Sequence, residues 1–215
     1  MKTSVLLISD GLAHPSLLGR FWLRRGLAAM PGYHFRRVAS LEALPGLKAE
    51  SFRGLVLYIH HENISPAALE SLEGFVRQGG GLLAVHSASA SFKQEEHYFA
   101  ILGGSFREHG PIEPFQVEPV TPQDEIFHGV PAFSVTDELY RHDYDPDNRV
   151  HFYTPVGEER EPVVWTRRYG QGRVCYCALG HTAATMRHPQ VQRILQRGTA
   201  WTCGNLSGPD AAALE

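Results

Sequence analysis

Apolar positions in the first ninety residues follow two alternating patterns. Unbroken apolar runs occur at residues 5–8, 54–59 and 82–85, with a mixed run at 33–38. They are strand-length, and uninterrupted hydrophobicity is what a strand buried on both faces needs. Between the runs, Leu17, Leu18, Phe21, Leu23, Leu27 and Met30 recur at helical spacing, as do Leu69, Leu72, Phe75 and Val76. Pro31-Gly32 stops the first helix. Ser65-Pro66 opens the second as cap and first-turn proline, and Gly79-Gly80-Gly81 ends it. This alternation predicts a parallel sheet covered on both faces, joined by right-handed crossovers.

The later part reads differently. A short helix is predicted over 92–102, closed by Gly103-Gly104, then extended segments at 115–120, 133–136, 150–154, 162–166 and 173–179. Tyr169-Gly170-Gln171-Gly172 is a hairpin turn. His188-Pro189 opens a final helix through Val191, Ile194, Leu195 and Trp201. The prediction is a single α/β domain over residues 1–203, partly antiparallel in its second half. The polar stretch 204–215 reads as a frayed tail.

Candidate chemistry comes from histidine, of which there are twelve. His60, His86 and His181 each follow an apolar strand, and ligands of open α/β sheets bind outside the carboxyl ends of the strands. These three are the candidate metal ligands. Imidazoles with a carboxylate suit a divalent ion, zinc foremost. His86, His181 and Glu138 are the candidate catalytic acid–base groups. His14, Ser87, His109, Tyr140 and His142 are candidate substrate contacts, with His109 placed in a turn-rich loop and residues 141–145 read as either a surface loop or a stacking site. No HExxH or other fixed spacing selects among a metal centre, an acid–base site without metal, and hydrogen-bonded histidines that bind nothing.

Other features narrow the class. A net charge of −3 offers no nucleic-acid surface, and the arginines at 20, 24, 25, 36 and 37 read as solvated. Three cysteines make no disulfide framework; Cys175 and Cys177 share one face of a strand as buried thiols, which fits the cytoplasm. The first apolar run is too short for a signal peptide or a membrane span. Gly79-Gly80-Gly81 precedes a strand and no Walker lysine follows, while the first strand is followed by Gly11 alone, so neither ATP nor NAD is expected. No Gly-x-Ser-x-Gly elbow is present. Ser87 and Ser89 keep a serine-dependent hydrolase as an alternative, beside a non-catalytic sugar- or partner-binding domain.

Several motifs, taken in order, carry a family likeness. They are the Gly79-to-His86 strand, Leu102-Gly103-Gly104-Ser105-Phe106 with His109, and Phe127-His128-Gly129-Val130-Pro131. Thr136-Asp137-Glu138-Leu139-Tyr140, the 162–174 hairpin, Leu179-Gly180-His181-Thr182 and the helix ending near Trp201 follow. The chain thereby resembles the ThuA-like family, the trehalose-utilisation proteins. The resemblance implies a flavodoxin-like, doubly wound core similar to class I glutamine amidotransferases. It also implies loss of amidotransferase activity, because His86 and serines stand where the nucleophilic cysteine would be. The implied role is metabolism of trehalose, related disaccharides or their 3-keto derivatives, with a divalent metal in some members. Residues 10–15 keep part of the family's loop after the first strand. A homodimer is expected on general frequency alone.

Overall fold

The computed structural model describes residues 2–10 and 15–206. Nine strands form one sheet in the order β2-β1-β3-β4-β9-β8-β7-β5-β6. The first five positions are parallel: β2 (Tyr33–Val38), β1 (Thr3–Ser9), β3 (Gly54–Tyr58), β4 (Gly81–Val85) and β9 (Gly172–Cys177). The central strands β3 and β4 are buried at every residue, as their unbroken apolar sequences require. Helices α1 (Leu17–Ala28), α2 (Pro66–Arg77), α3 (Glu96–Leu102), α4 (Ala183–Arg187) and α5 (Pro189–Thr202) flank the sheet. The predicted cap at Ser65 forms, its hydroxyl accepting from the Ala68 N–H, and Ser16 caps α1 in the same way by accepting from the Gly19 N–H. Gly81 lets α5 approach β4, since a Cβ there would meet the Thr202 carbonyl.

From β9 outward the sheet turns antiparallel through β8 (Glu159–Tyr169), β7 (Arg149–Val156), β5 (Gly104–Pro119) and β6 (Phe133–Tyr144). Here the structure corrects three sequence expectations. The loop assigned around His109 is part of the 16-residue strand β5. The short segment at 133–136 extends to Tyr144, so residues 141–144 are strand, not surface loop. The helix expected from residue 92 begins at Glu96 and is preceded by a 3₁₀ turn over His86–Ala90. Gly110 and Pro111 gave the appearance of a loop because proline cannot donate to a ladder. The β5–β6 pairing accommodates them with register shifts between Phe106 and Glu108 and between His109 and Ile112. The tail expected at 204–215 lies mostly outside the described residues. Among those described, no helix is long and apolar enough to cross a membrane.

Candidate metal and sugar site

His86 stands directly after β4, with φ of 46°, a conformation uncommon outside glycine. Such strain persists where the surroundings over-determine it, and it clusters at functional sites. The surroundings are explicit. The Tyr176 hydroxyl donates to the His86 carbonyl at 3.0 Å and the Ser89 hydroxyl approaches the same oxygen at 3.2 Å. His86 Nδ1 lies 2.8 Å from the Ala178 carbonyl, which can only accept. Nδ1 therefore carries the proton, and Nε2 is turned to Glu138 Oε2 at 4.0 Å.

Glu138 comes from the far end of the sheet, on β6. Its Oε2 is 2.9 Å from His181 Nδ1, and its Oε1 is 3.8 Å from His109 Nδ1. His86, Glu138 and His181 each offer one ligating atom, and these lie within 4.8 Å of one another. β4 and β9 are parallel neighbours, Val85 opposite Cys177, so His86 and His181 emerge at the same end of the sheet. Two imidazoles and a carboxylate are a donor set for a divalent ion with an open position for water or substrate. The Nδ1–H bond of His86 to a carbonyl is the orienting contact such ligands need.

The turn that carries His181 is held by the residue before Glu138. Asp137 is fully buried. Its Oδ2 accepts from the backbone N–H of Gly180 at 2.8 Å and of His181 at 3.2 Å, and its Oδ1 from that of Thr182 at 2.8 Å. Burial pushes its carboxyl up to about 6, against the downward pull of these donors and of His181. Gly180 has φ of 135°, and a Cβ there would sit 3.6 Å from that of His86. The Tyr58 hydroxyl donates to the Gly180 carbonyl at 2.5 Å.

The other sequence candidates fall in distinct places. His60 is exposed and outside the cluster, in which Glu138 is the third potential donor beside His86 and His181. The Tyr140 ring packs tilted against His86, ring centres 4.0 Å apart, and against Phe106 at 4.4 Å. His109, 41% exposed, stacks at 5.7 Å on the Tyr140 ring and forms the outer lip. Ser87 is fully buried beside His86. His14 lies outside the described residues.

His142 is enclosed beneath the site. Its Nε2 is 3.0 Å from the Tyr176 hydroxyl and 3.4 Å from Ser89 Oγ, and its Nδ1 is 3.3 Å from Glu161. Burial lowers its pKa. The order Ser89, His142, Glu161 is that of a nucleophile, base and orienting acid. Ser89, however, is 1% exposed, and its hydroxyl lies 2.7 Å from that of Tyr176 and 3.2 Å from the His86 carbonyl, so it braces the His86 backbone. Sequence reasoning missed Asp137 and Tyr58. Asp137 had one visible signal, its place beside Glu138 in Thr136-Asp137-Glu138.

Comparison with known proteins decides the family. The ThuA model, described as trehalose utilisation, matches residues 25–202. The chain belongs to the ThuA family. Among solved structures, a ThuA-like protein from Parabacteroides merdae is similar at a TM-score of 0.83 and 19% identity, covering 96% of this chain and 92% of that one. Another from Bacteroides uniformis reaches 0.78 at 16% identity, covering 94% and 91%. The fold also occurs within a larger enzyme: a β-galactosidase from Bacillus circulans sp. alkalophilus matches at 0.63 and 13% identity, covering 92% of this chain but 31% of that one. A search of curated proteins found no match.

Proposed function

We propose that this ThuA protein binds a divalent ion, zinc foremost, through His86, Glu138 and His181, and binds or transforms a sugar there. The observation that carries the reading is the convergence of these three donors, from three separate segments, at the carboxyl end of the parallel strands. A bound ion supplies Lewis-acid polarisation of a sugar oxygen or an activated water. The protein's own groups do the rest. The Ala178 carbonyl fixes the tautomer of His86, Asp137 seats the His181 turn, and the Tyr140 ring walls the inner side. His109, at the exposed lip beside Glu138, is placed to exchange a proton with a bound hydroxyl.

The substrate class we assign is trehalose, following the family description, and with it related disaccharides and their 3-keto derivatives. We assign no amidotransferase activity, although the doubly wound core supports kinship with class I glutamine amidotransferases. Cys175, Cys177 and Cys203 are all buried, and burial pushes the Cys177 and Cys203 thiols up to about 12, far from a reactive thiolate. A cytoplasmic homodimer completes the proposal.

Elemental analysis of the native protein and of His86→Ala, Glu138→Gln and His181→Ala tests the centre. Near-stoichiometric metal in the native protein and its loss in each variant is the expected result. A native protein that holds none, and acquires none when zinc is supplied, refutes the centre. Calorimetric titration with trehalose and its 3-keto derivative then tests the substrate class, which fails if neither binds the metal-loaded protein.

A further inference from the structure

Two adjacent carboxylates grip one turn in different ways. Glu138 reaches the ring of His181, 2.9 Å from Nδ1. Asp137 reaches the backbone of the same turn and accepts from three consecutive N–H groups, those of Gly180, His181 and Thr182. Both oxygens of Asp137 are used this way, which keeps it out of the ligand set although it stands next to a ligand in sequence. The turn is fastened from two further sides. Tyr58 donates to the Gly180 carbonyl, and the hydroxyls of Thr182 and Thr185 both lie 3.2 Å from the Thr136 carbonyl. Thr136, Asp137 and Glu138 on β6 thus hold the residues that follow β9.

We infer that Asp137 is a positioning residue for the His86–Glu138–His181 centre: its three backbone hydrogen bonds fix the His181 ring relative to Glu138 and so set the affinity for the ion. The inference rests on the metal reading proposed above. Its physical basis is that a ligand ring carried on a turn has the backbone's freedom as well as its own rotamers. A buried carboxylate with three N–H donors removes that freedom before any ion arrives, so less ordering accompanies binding. Glu138 cannot do this by itself, because its contact with the ring leaves the turn beneath free to shift.

Asp137→Asn is the discriminating variant. The amide nitrogen cannot accept from a backbone N–H, so part of the grip is lost while size is kept. The probe is zinc, titrated in competition with a chromophoric chelator, with cobalt absorption bands as a second readout of ligand geometry. Melting of the metal-free proteins is followed alongside. The expected result is zinc affinity weaker by about 10- to 100-fold and altered cobalt bands. Lower melting with affinity and cobalt bands as in the native protein would make Asp137 merely structural and overturn the inference. A native protein that binds neither ion overturns the metal reading, and the inference with it. If Asp137→Asn does not fold, Tyr58→Phe, which releases the Gly180 carbonyl of the same turn, takes its place. A weaker affinity of about 3- to 10-fold then supports the inference, because one hydrogen bond of about 1 kcal/mol is removed, and native affinity refutes it.

Discussion

Two of the histidine–carboxylate groupings in this sheet are built to opposite ends. In the antiparallel half, His151 on β7 has Asp124 Oδ2 2.8 Å from Nδ1 and Thr166 Oγ1 2.7 Å from Nε2. Asp124 in turn accepts from the N–H groups of Ile126 and Phe127 and pairs with Arg149. Both ring nitrogens are matched at hydrogen-bond distance by the fold itself. At the edge of the parallel half, His86 is equally buried, but its Nε2 faces Glu138 at 4.0 Å, and His181 converges on the same oxygen. A buried histidine beside an acid is therefore no sign of a site. Three donors from separate segments that gather at a strand end, on a strained backbone, are.

The comparison can be broken most sharply at Asp124. Asp124→Ala should destabilise the protein by about 3 kcal/mol, since it leaves His151 buried without its acid and two N–H groups uncapped. Urea unfolding measures this, and a cost under about 1 kcal/mol would show the closed grouping to be dispensable. His181→Ala should do the reverse. Its side chain is 25% exposed, so folding stability should change by less than about 1 kcal/mol. Zinc affinity, in contrast, should fall by at least about 100-fold with one of three ligands gone. Equal losses in stability and affinity would erase the distinction.

Acid sharpens it further. Burial raises the Asp124 carboxyl, but the hydrogen bond and charge of His151, the Phe127 N–H and Arg149 outweigh this and bring it from 3.8 down to about 2. A depressed carboxyl contributes stability above its ordinary value and loses it as pH falls through its folded value. The stability gap between the native protein and Asp124→Asn should therefore narrow by about 1–2 kcal/mol as pH falls from about 5 to about 2. A gap that stays constant means Asp124 is not held ionised by its neighbours. The smallest effect belongs to His60. It is exposed and outside the cluster, so His60→Ala should shift stability by less than about 0.5 kcal/mol and leave metal content unchanged. Metal loss in that variant would redraw the centre.

Much of the parallel half was legible in the sequence, and much of the antiparallel half was not. Residues 54–59 and 82–85 are apolar throughout because β3 and β4 are covered on both faces, and no other local structure suits so short a run. His86 and His181 were found because a strand tip is a local feature. The part of β5 before Phe115 was hidden because residues 107–114 are exposed and carry Gly110 and Pro111; it exists through pairing with β6, which no local propensity reports. Glu138 was named as a catalytic acid, but its place beside His86 and His181 depends on that same pairing.

By itself the sequence determined the alternation of strand and helix, the cap at Ser65, the family and the histidines at two strand ends. These are local: they follow from hydrophobic period, turn chemistry and ordered motifs. Only the tertiary structure decided that Glu138 joins His86 and His181 while His60 does not, that His142 is enclosed, and that Asp137 seats the turn after β9. Those outcomes rest on contacts between residues far apart in the chain, such as Asp137 with Gly180 and His86 with Ala178. Such contacts are set by strand order and register, which the spacing of residues along one chain does not encode.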